Sequence, residues 1–169
     1  SIKTADEWLP IPGSAEAIAA LNTEGFDVYI VTNQSGIGRG LFDEVAYAAI
    51  TDKMLATIAA AGGSIKAVIH CPHTPEDDCD CRKPKTGMFT RVHQISGRSI
   101  KGMACIGDSL RDLEAALDAG CSPILVKTGN GANTLAVLAK EHEELLEVVT
   151  VYDDLAAAAA ALIANHRGH

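Results

Sequence analysis

Four residues with metal-binding side chains crowd into one short stretch. Cys71, His73, Cys79 and Cys81 occur within eleven residues, in the pattern C-x-H-x5-C-x-C. Thiolate sulfur and imidazole nitrogen are the donors zinc prefers, and a zinc site is complete with four of them in a tetrahedron. Three thiolates and one imidazole fill that set and leave no position for water, so the expected zinc is structural. Residues 74–80 (TPEDDCD) carry no apolar side chain to anchor them, so metal ligation would supply the ordering energy that packing cannot. The competing reading is a surface loop with free thiols. Arg82 and Lys83 follow directly, and a metal-held loop would present both cations to an anion.

Three further groups suit phosphate chemistry. Thr32-Asn33 follow the apolar run FDVYIV; a hydroxyl and the N–H groups after it can hold phosphate oxygens. Lys83 is a compact cation suited to a phosphoryl group. Asp108 follows Gly107 at the end of MACI, with Asp112 one helical turn on. Carboxylates are what Mg2+ takes as ligands, but Asp112 three residues after Ser109 equally reads as half of a capping box. The GIGRG run at 36–40 has neither the G-x-G-x-x-G spacing nor a G-K-[ST] ending, which excludes dinucleotide and Walker loops. Arg39 within it is a candidate substrate contact. His70, Cys105 and Cys121 lie in or beside apolar segments and read as structural.

The elements that must position these groups alternate. Helices are expected at 15–24, 43–61, 86–95, 110–119 and 132–144, with a last Ala-rich helix capped by Asp153 or Asp154. Val45, Ile50, Met54, Leu55 and Ile58 are the apolar positions of the second helix, and Ser14 caps the first. Strands are expected at 26–31, 65–70, 103–106, 123–127 and 146–151. Alternation of this kind gives an α/β fold, a Rossmann-like parallel sheet with helices on both faces. Ligands bind outside the carboxyl ends of such strands, where Thr32, residues 71–83, Asp108 and Lys127 are predicted to share one rim.

A chain of 169 residues reads as a single domain, 1–169. Its net charge of −8 argues against a nucleic-acid face. No apolar run reaches the ~20 residues of a membrane span, and no signal pattern opens at Ser1. An odd count of five cysteines, with a C-x-C pair, suits thiolate ligation in a reducing cytoplasm better than disulfides. The chain opens SIKTADEW, without Met and without the apolar strand that would begin an α/β domain. It reads as the remainder of a longer chain.

Thr32-Asn33, Lys83 and Gly107-Asp108 stand in the order and strand-end positions of motifs two, three and four of the haloacid dehalogenase superfamily of phosphatases. The metal clip running into RKP resembles the zinc-containing branch of that superfamily, which includes phosphatases of a heptose bisphosphate and of histidinol phosphate. EWLPIPGS at 7–14, TNQSGIGRGLF at 32–42, KTGMF at 85–89, GDSLRDLEAA at 107–116 and VKTGNG at 126–131 favour the heptose member and a place in lipopolysaccharide core biosynthesis. The resemblance implies the superfamily fold and hydrolysis through an aspartyl phosphate. An aspartate would attack the phosphate at C7, and a second aspartate would act as acid and base. Mg2+ would be held by that pair and Asp108, beside a structural zinc on Cys71, His73, Cys79 and Cys81. Thr32 and Lys83 would steady the transferred phosphoryl, and Thr32, Asn33, Gln34, Ser35, Arg82 and Lys83 would contact the substrate. It also implies a sugar phosphate as substrate; the chain is expected to be a monomer, with neither nucleic acid nor membrane as partner. The D-x-D-G stretch that supplies the aspartate pair, and the first central strand between those carrying Thr32 and Asp108, do not occur in the 169 residues. A non-catalytic, zinc-bearing phosphosugar-binding domain is the reading from a different class.

Overall fold

The computed structural model describes residues 13–33 and 44–168. Arg39 and Asp43 fall outside them, as do the loop glycines 36, 38 and 40. The chain divides into two compact units, 1–82 and 83–169.

In the first unit, α1 (Ser14–Thr23) buries Ala15, Ala17, Ile18 and Leu21 along one stripe. Gly13, at φ 86°, stands at its N-cap, so Ser14 is the first helical residue and not the cap. Strand β1 (Tyr29–Asn33) and strand β2 (Ala67–Cys71) pair in parallel, with Thr32 opposite His70 and Asn33 opposite Cys71. The expected strand at 26–31 is therefore displaced toward its carboxyl end, and Thr32 and Asn33 belong to the ladder. Between the strands, α2 (Glu44–Ala60) buries Ile58, whereas Val45 is 77% exposed and not a core position. Periodicity shows which residues could share a face, not how far along the helix its partner extends. Asn22 joins the turns at the strands' amino ends: its Nδ2 donates to Phe26 O at 3.1 Å, and its Oδ1 accepts from Ser64 N at 2.7 Å.

The second unit continues with α3 (Gly87–Ser96), which buries Met88, Phe89 and Val92. Then follow β3 (Ala104–Gly107), α4 (Leu110–Asp118), β4 (Ser122–Val126), α5 (Gly131–Glu141), α6 (Glu143–Val148), β5 (Thr150–Tyr152) and α7 (Leu155–Arg167). The strands form a parallel sheet in the order β3-β4-β5. Alternate residues of a strand face opposite sides, and β4 buries both. Leu125 packs with Leu113, Leu138 and Val149; Ile124 and Val126 pack with Ala158. Helices α4 and α5 thus cover one face and α7 the other, as the alternation predicts. Burying a residue such as Leu125, with no exposed surface, contributes roughly 2–3 kcal/mol.

The described strands form two parallel sheets, β1-β2 and β3-β4-β5, in keeping with the absence from the 169 residues of the strand expected between those carrying Thr32 and Asp108. A further expectation changes. The strand expected at 146–151 is only Thr150–Tyr152, because Leu146–Val148 complete α6. Glu143 and Glu144 occupy the first turn of that helix, where acidic side chains complement the N–H ends, and Val149 makes the extended break. Asp154, not Asp153, caps α7, its Oδ1 accepting from Ala157 N at 2.8 Å. No described helix is long and apolar enough to cross a membrane.

Candidate metal and phosphate site

Strand β2 ends at Cys71, and the chain turns back on itself at once. The loop is shaped by its own polar groups. A short 3-10 turn, Pro75–Asp77, is closed by a capping box in which Asp77 Oδ2 accepts from Thr74 N at 2.8 Å, and Asp78 takes a left-handed conformation at φ 49°. This reversal carries Cys79 and Cys81 back to the strand end. The donor atoms of Cys71, His73, Cys79 and Cys81 all lie within 4.8 Å of one another.

Cys71 Sγ is 3.6 Å from His73 Nδ1 and 3.5 Å from Cys79 Sγ. Cys81 Sγ is 3.4 Å from His73 Nδ1 and 3.6 Å from Cys79 Sγ. Ligands about 2.0–2.3 Å from a tetrahedral zinc stand about 3.4–3.8 Å apart, and these four edges match. Cys71 and Cys81 are also in disulfide contact. A disulfide joins two sulfurs, however, and would give Cys79 and His73 no reason to converge on the same point. The four-donor set fits zinc. His70 is not part of it: its ring lies 4.4 Å from that of Tyr47, and its Nε2 is 3.7 Å from Glu44 Oε2.

Arg82 closes the loop, its Nη1 donating to His73 O at 3.4 Å. Thr32 and Asn33 lie half-buried on the strand paired with β2. The Thr32 hydroxyl lies 3.4 Å from Asn33 O. Gln34 and Ser35, the other two expected substrate contacts, lie outside the described residues.

In the second unit Lys83 is directed by Asp112, its Nζ donating to Asp112 Oδ1 at 2.5 Å with the two side chains 11% and 14% exposed. The other carboxylate oxygen accepts from the N–H groups of Asp108 and Ser109, each at 3.2 Å, while Ser109 Oγ accepts from Asp112 N at 3.2 Å. The capping-box reading of Asp112 is therefore realised. Burial opposes its charge, but the Lys83 ammonium and the Ser109 hydrogen bonds outweigh that and hold the carboxyl below its ordinary value. Gly107 makes the close fit possible, since a Cβ there would stand 2.4 Å from Asp112 Cβ.

Asp108 leaves the β3 ladder at the carboxyl end of the sheet. Its Oδ2 accepts from Asn130 N at 2.9 Å, which orients the carboxylate. A carboxylate has about four lone-pair positions, so a hard oxygen donor of the kind Mg2+ takes remains at the strand end. Lys127 and Asp153 follow β4 and β5 at the same end of this sheet, their charged groups 3.3 Å apart. Cys105 and Cys121 are core thiols: burial pushes Cys105 up to about 12 and raises Cys121 as well. The pairing of Lys83 with Asp112 was not legible beforehand; residues 29 apart in sequence carry no local signal of contact.

Comparison with known proteins places the chain among phosphatases. Residues 80–158 match a family of haloacid dehalogenase-like hydrolases, and residues 2–109 match a family of polynucleotide kinase 3 phosphatases. A D-glycero-beta-D-manno-heptose-1,7-bisphosphate 7-phosphatase from Pseudomonas aeruginosa is 46% identical over 96% of this chain and 88% of its own. The enzyme of the same name from Neisseria meningitidis is 41% identical over 91% of this chain and 81% of its own. Among solved structures, the D,D-heptose 1,7-bisphosphate phosphatase from Bordetella bronchiseptica, complexed with magnesium and phosphate, superimposes with a TM-score of 0.91. It is 45% identical and covered over 98% of this chain and 89% of that one. The Burkholderia thailandensis phosphatase of that name gives a TM-score of 0.74 at 39% identity, over 94% and 89% of the two chains.

Proposed function

The chain belongs to the haloacid dehalogenase-like hydrolases, and on that premise we propose that it serves the hydrolysis of the 7-phosphate of D-glycero-D-manno-heptose 1,7-bisphosphate. The observation that carries this reading is the half-buried Lys83–Asp112 pair, with Asp112 also bonded to the N–H of Asp108. A cation and a metal-type carboxylate are locked together through one side chain. That arrangement suits a transferring phosphoryl group, whose catalysis is chiefly positioning and charge stabilisation.

The roles follow the chemistry of each group. Asp108 holds the divalent cation, and Mg2+ supplies charge neutralisation for the phosphoryl oxygens when bound. Lys83 and Thr32 steady those oxygens, while Asn33, Gln34, Ser35 and Arg82 contact the sugar phosphate. Zinc on Cys71, His73, Cys79 and Cys81 is structural and holds the loop that leads into Arg82 and Lys83. We read the 169 residues as one phosphatase domain, monomeric and cytoplasmic. Its cluster of thiolate ligands suits a reducing compartment.

The attacking aspartate and its acid–base partner are not among the 169 residues, which hold no D-x-D-G stretch. The second reading is a zinc-bearing domain that binds phosphosugars without cleaving them. A single assay separates the two. Protein expressed from the whole reading frame is supplied with Mg2+ and followed for phosphate release. Turnover of heptose 1,7-bisphosphate, with histidinol phosphate inert, is the expected result. Turnover of histidinol phosphate alone would overturn the substrate, and binding without turnover of either would establish the second reading.

A further inference from the structure

We infer that Thr134 is a positioning residue for the divalent cation: with the turn at 128–131 it clamps Asp108 in its ligating conformation. Thr134 is the one buried residue with a polar side chain among the described residues, 4% exposed on the first turn of α5. Its Oγ1 donates to Asp108 O at 2.7 Å. The alternative acceptor, Asn130 O, is farther, at 3.2 Å, and Asn130 Nδ2 lies 3.5 Å from the same hydroxyl.

Asp108 is the first residue past the β3 ladder, so its backbone polar groups have no strand partner and must be satisfied otherwise. Two elements do this, and a third holds the carboxylate. Asp112, on α4, accepts from Asp108 N; Asn130, in the turn, donates to Oδ2; Thr134, on α5, donates to the carbonyl. The main chain and the carboxylate are thus held independently, which leaves little freedom at either end of the side chain.

The turn itself is moulded to the carboxylate. A Cβ on Gly129, which sits at φ 60°, would stand 2.3 Å from Asp108 Oδ2. A Cβ on Gly131 would stand 1.7 Å from Val126 O, so the backbone passes as close to the end of β4 as glycine permits. Partners of this kind behind a metal ligand set its orientation, and removing one typically costs 10–100-fold in metal affinity.

The inference rests on the reading of Asp108 as a metal ligand, and the test separates the two. Protein expressed from the whole reading frame is titrated with Mg2+ in a calorimeter, without substrate, and with Mn2+ followed by electron paramagnetic resonance. Thr134→Val, which keeps the shape and removes the hydroxyl, is expected to raise the dissociation constant for both ions by roughly 10-fold or more. Thr134→Ser, which keeps the hydroxyl, is expected to restore it to within about 3-fold. Gly129→Ala provides a second route should Thr134→Val fail to fold; its methyl presses on Oδ2 and is expected to weaken binding in the same direction. Asp108→Asn is the control for the underlying reading. Unchanged binding in Asp108→Asn would remove Asp108 as a ligand. Lost binding in Asp108→Asn, with affinity like the unsubstituted protein in Thr134→Val or Gly129→Ala, would overturn the clamp alone.

Discussion

Between residues 71 and 81 the only side chain described as buried is that of Cys71, whereas the cradle of Asp108 is backed by Leu113, Leu125 and Leu138, all fully buried. Both regions start at the carboxyl end of a parallel strand and both present polar groups. They are ordered by different forces. The loop after β2 gathers four candidate metal donors and buries only Cys71 among its described side chains, so on the proposed reading zinc adds ordering energy that packing does not supply. The cradle after β3 rests on a packed helix–sheet core and three hydrogen bonds to Asp108, so its order exists before any ion arrives. The expected consequence is that loss of the clip leaves the cradle folded and that a weakened cradle keeps its zinc.

The largest expected effect breaks that comparison at the clip. Cys79→Ser is expected to lower zinc content from about one per chain, the four-donor stoichiometry, to nearly none, measured by atomic emission on purified protein. Structural zinc contributes on the order of 10 kcal/mol, so backbone amides of residues 72–82 should exchange far faster while those of β4 stay protected. Full zinc and unchanged exchange in this variant would contradict the ligand set.

The reciprocal change is Leu113→Ala. It leaves a cavity behind α4 and should cost about 2–5 kcal/mol in denaturant unfolding, with zinc content unaltered. A parallel loss of zinc would show that the two regions are not independent.

A smaller effect tests the electrostatics of the cradle. Asp112→Asn strands the Lys83 ammonium and is expected to cost about 2 kcal/mol at neutral pH, below the cost at a fully buried pair because both side chains keep some exposure. The sign of the pH dependence follows from the lowered Asp112 carboxyl. Its stabilisation is present above the ordinary value of 3.8 and is lost as pH falls through the lower, folded value. The gap between Asp112→Asn and the unsubstituted protein should therefore narrow in acid; a gap independent of pH would remove the ion pair as its cause. The smallest effect is a control: Lys66→Ala breaks a 4.0 Å contact to Asp27 between exposed side chains and should change stability by less than about 0.5 kcal/mol.

Much of the site was readable beforehand because its information is local. The four donors span eleven residues, so C-x-H-x5-C-x-C points to a candidate ligand set within one loop, and the structure brings those donors within 4.8 Å of one another. Ser109 and Asp112 are likewise three residues apart, and the capping box they predict is formed. The stripe of α1 follows from its 3.6-residue period. The strand at 146–151 was misplaced because LLEVVTV is apolar enough for either element, and only the packing of Leu145, Leu146 and Val149 beside Leu138 decided where helix yields to strand.

The chain's own order of residues determined the α/β alternation, the convergence of four candidate metal donors, the cap of α4 and the strand-end placement of Asp108. Each of these is set within one element or one loop. Tertiary structure alone decided that Asp112 points at Lys83, 29 residues away, that Thr134 holds a carbonyl 26 residues before it, and that β4 buries both its faces. Those contacts depend on strand register and on how helices settle over the sheet, and spacing along a single chain does not encode either in a form that can be read residue by residue.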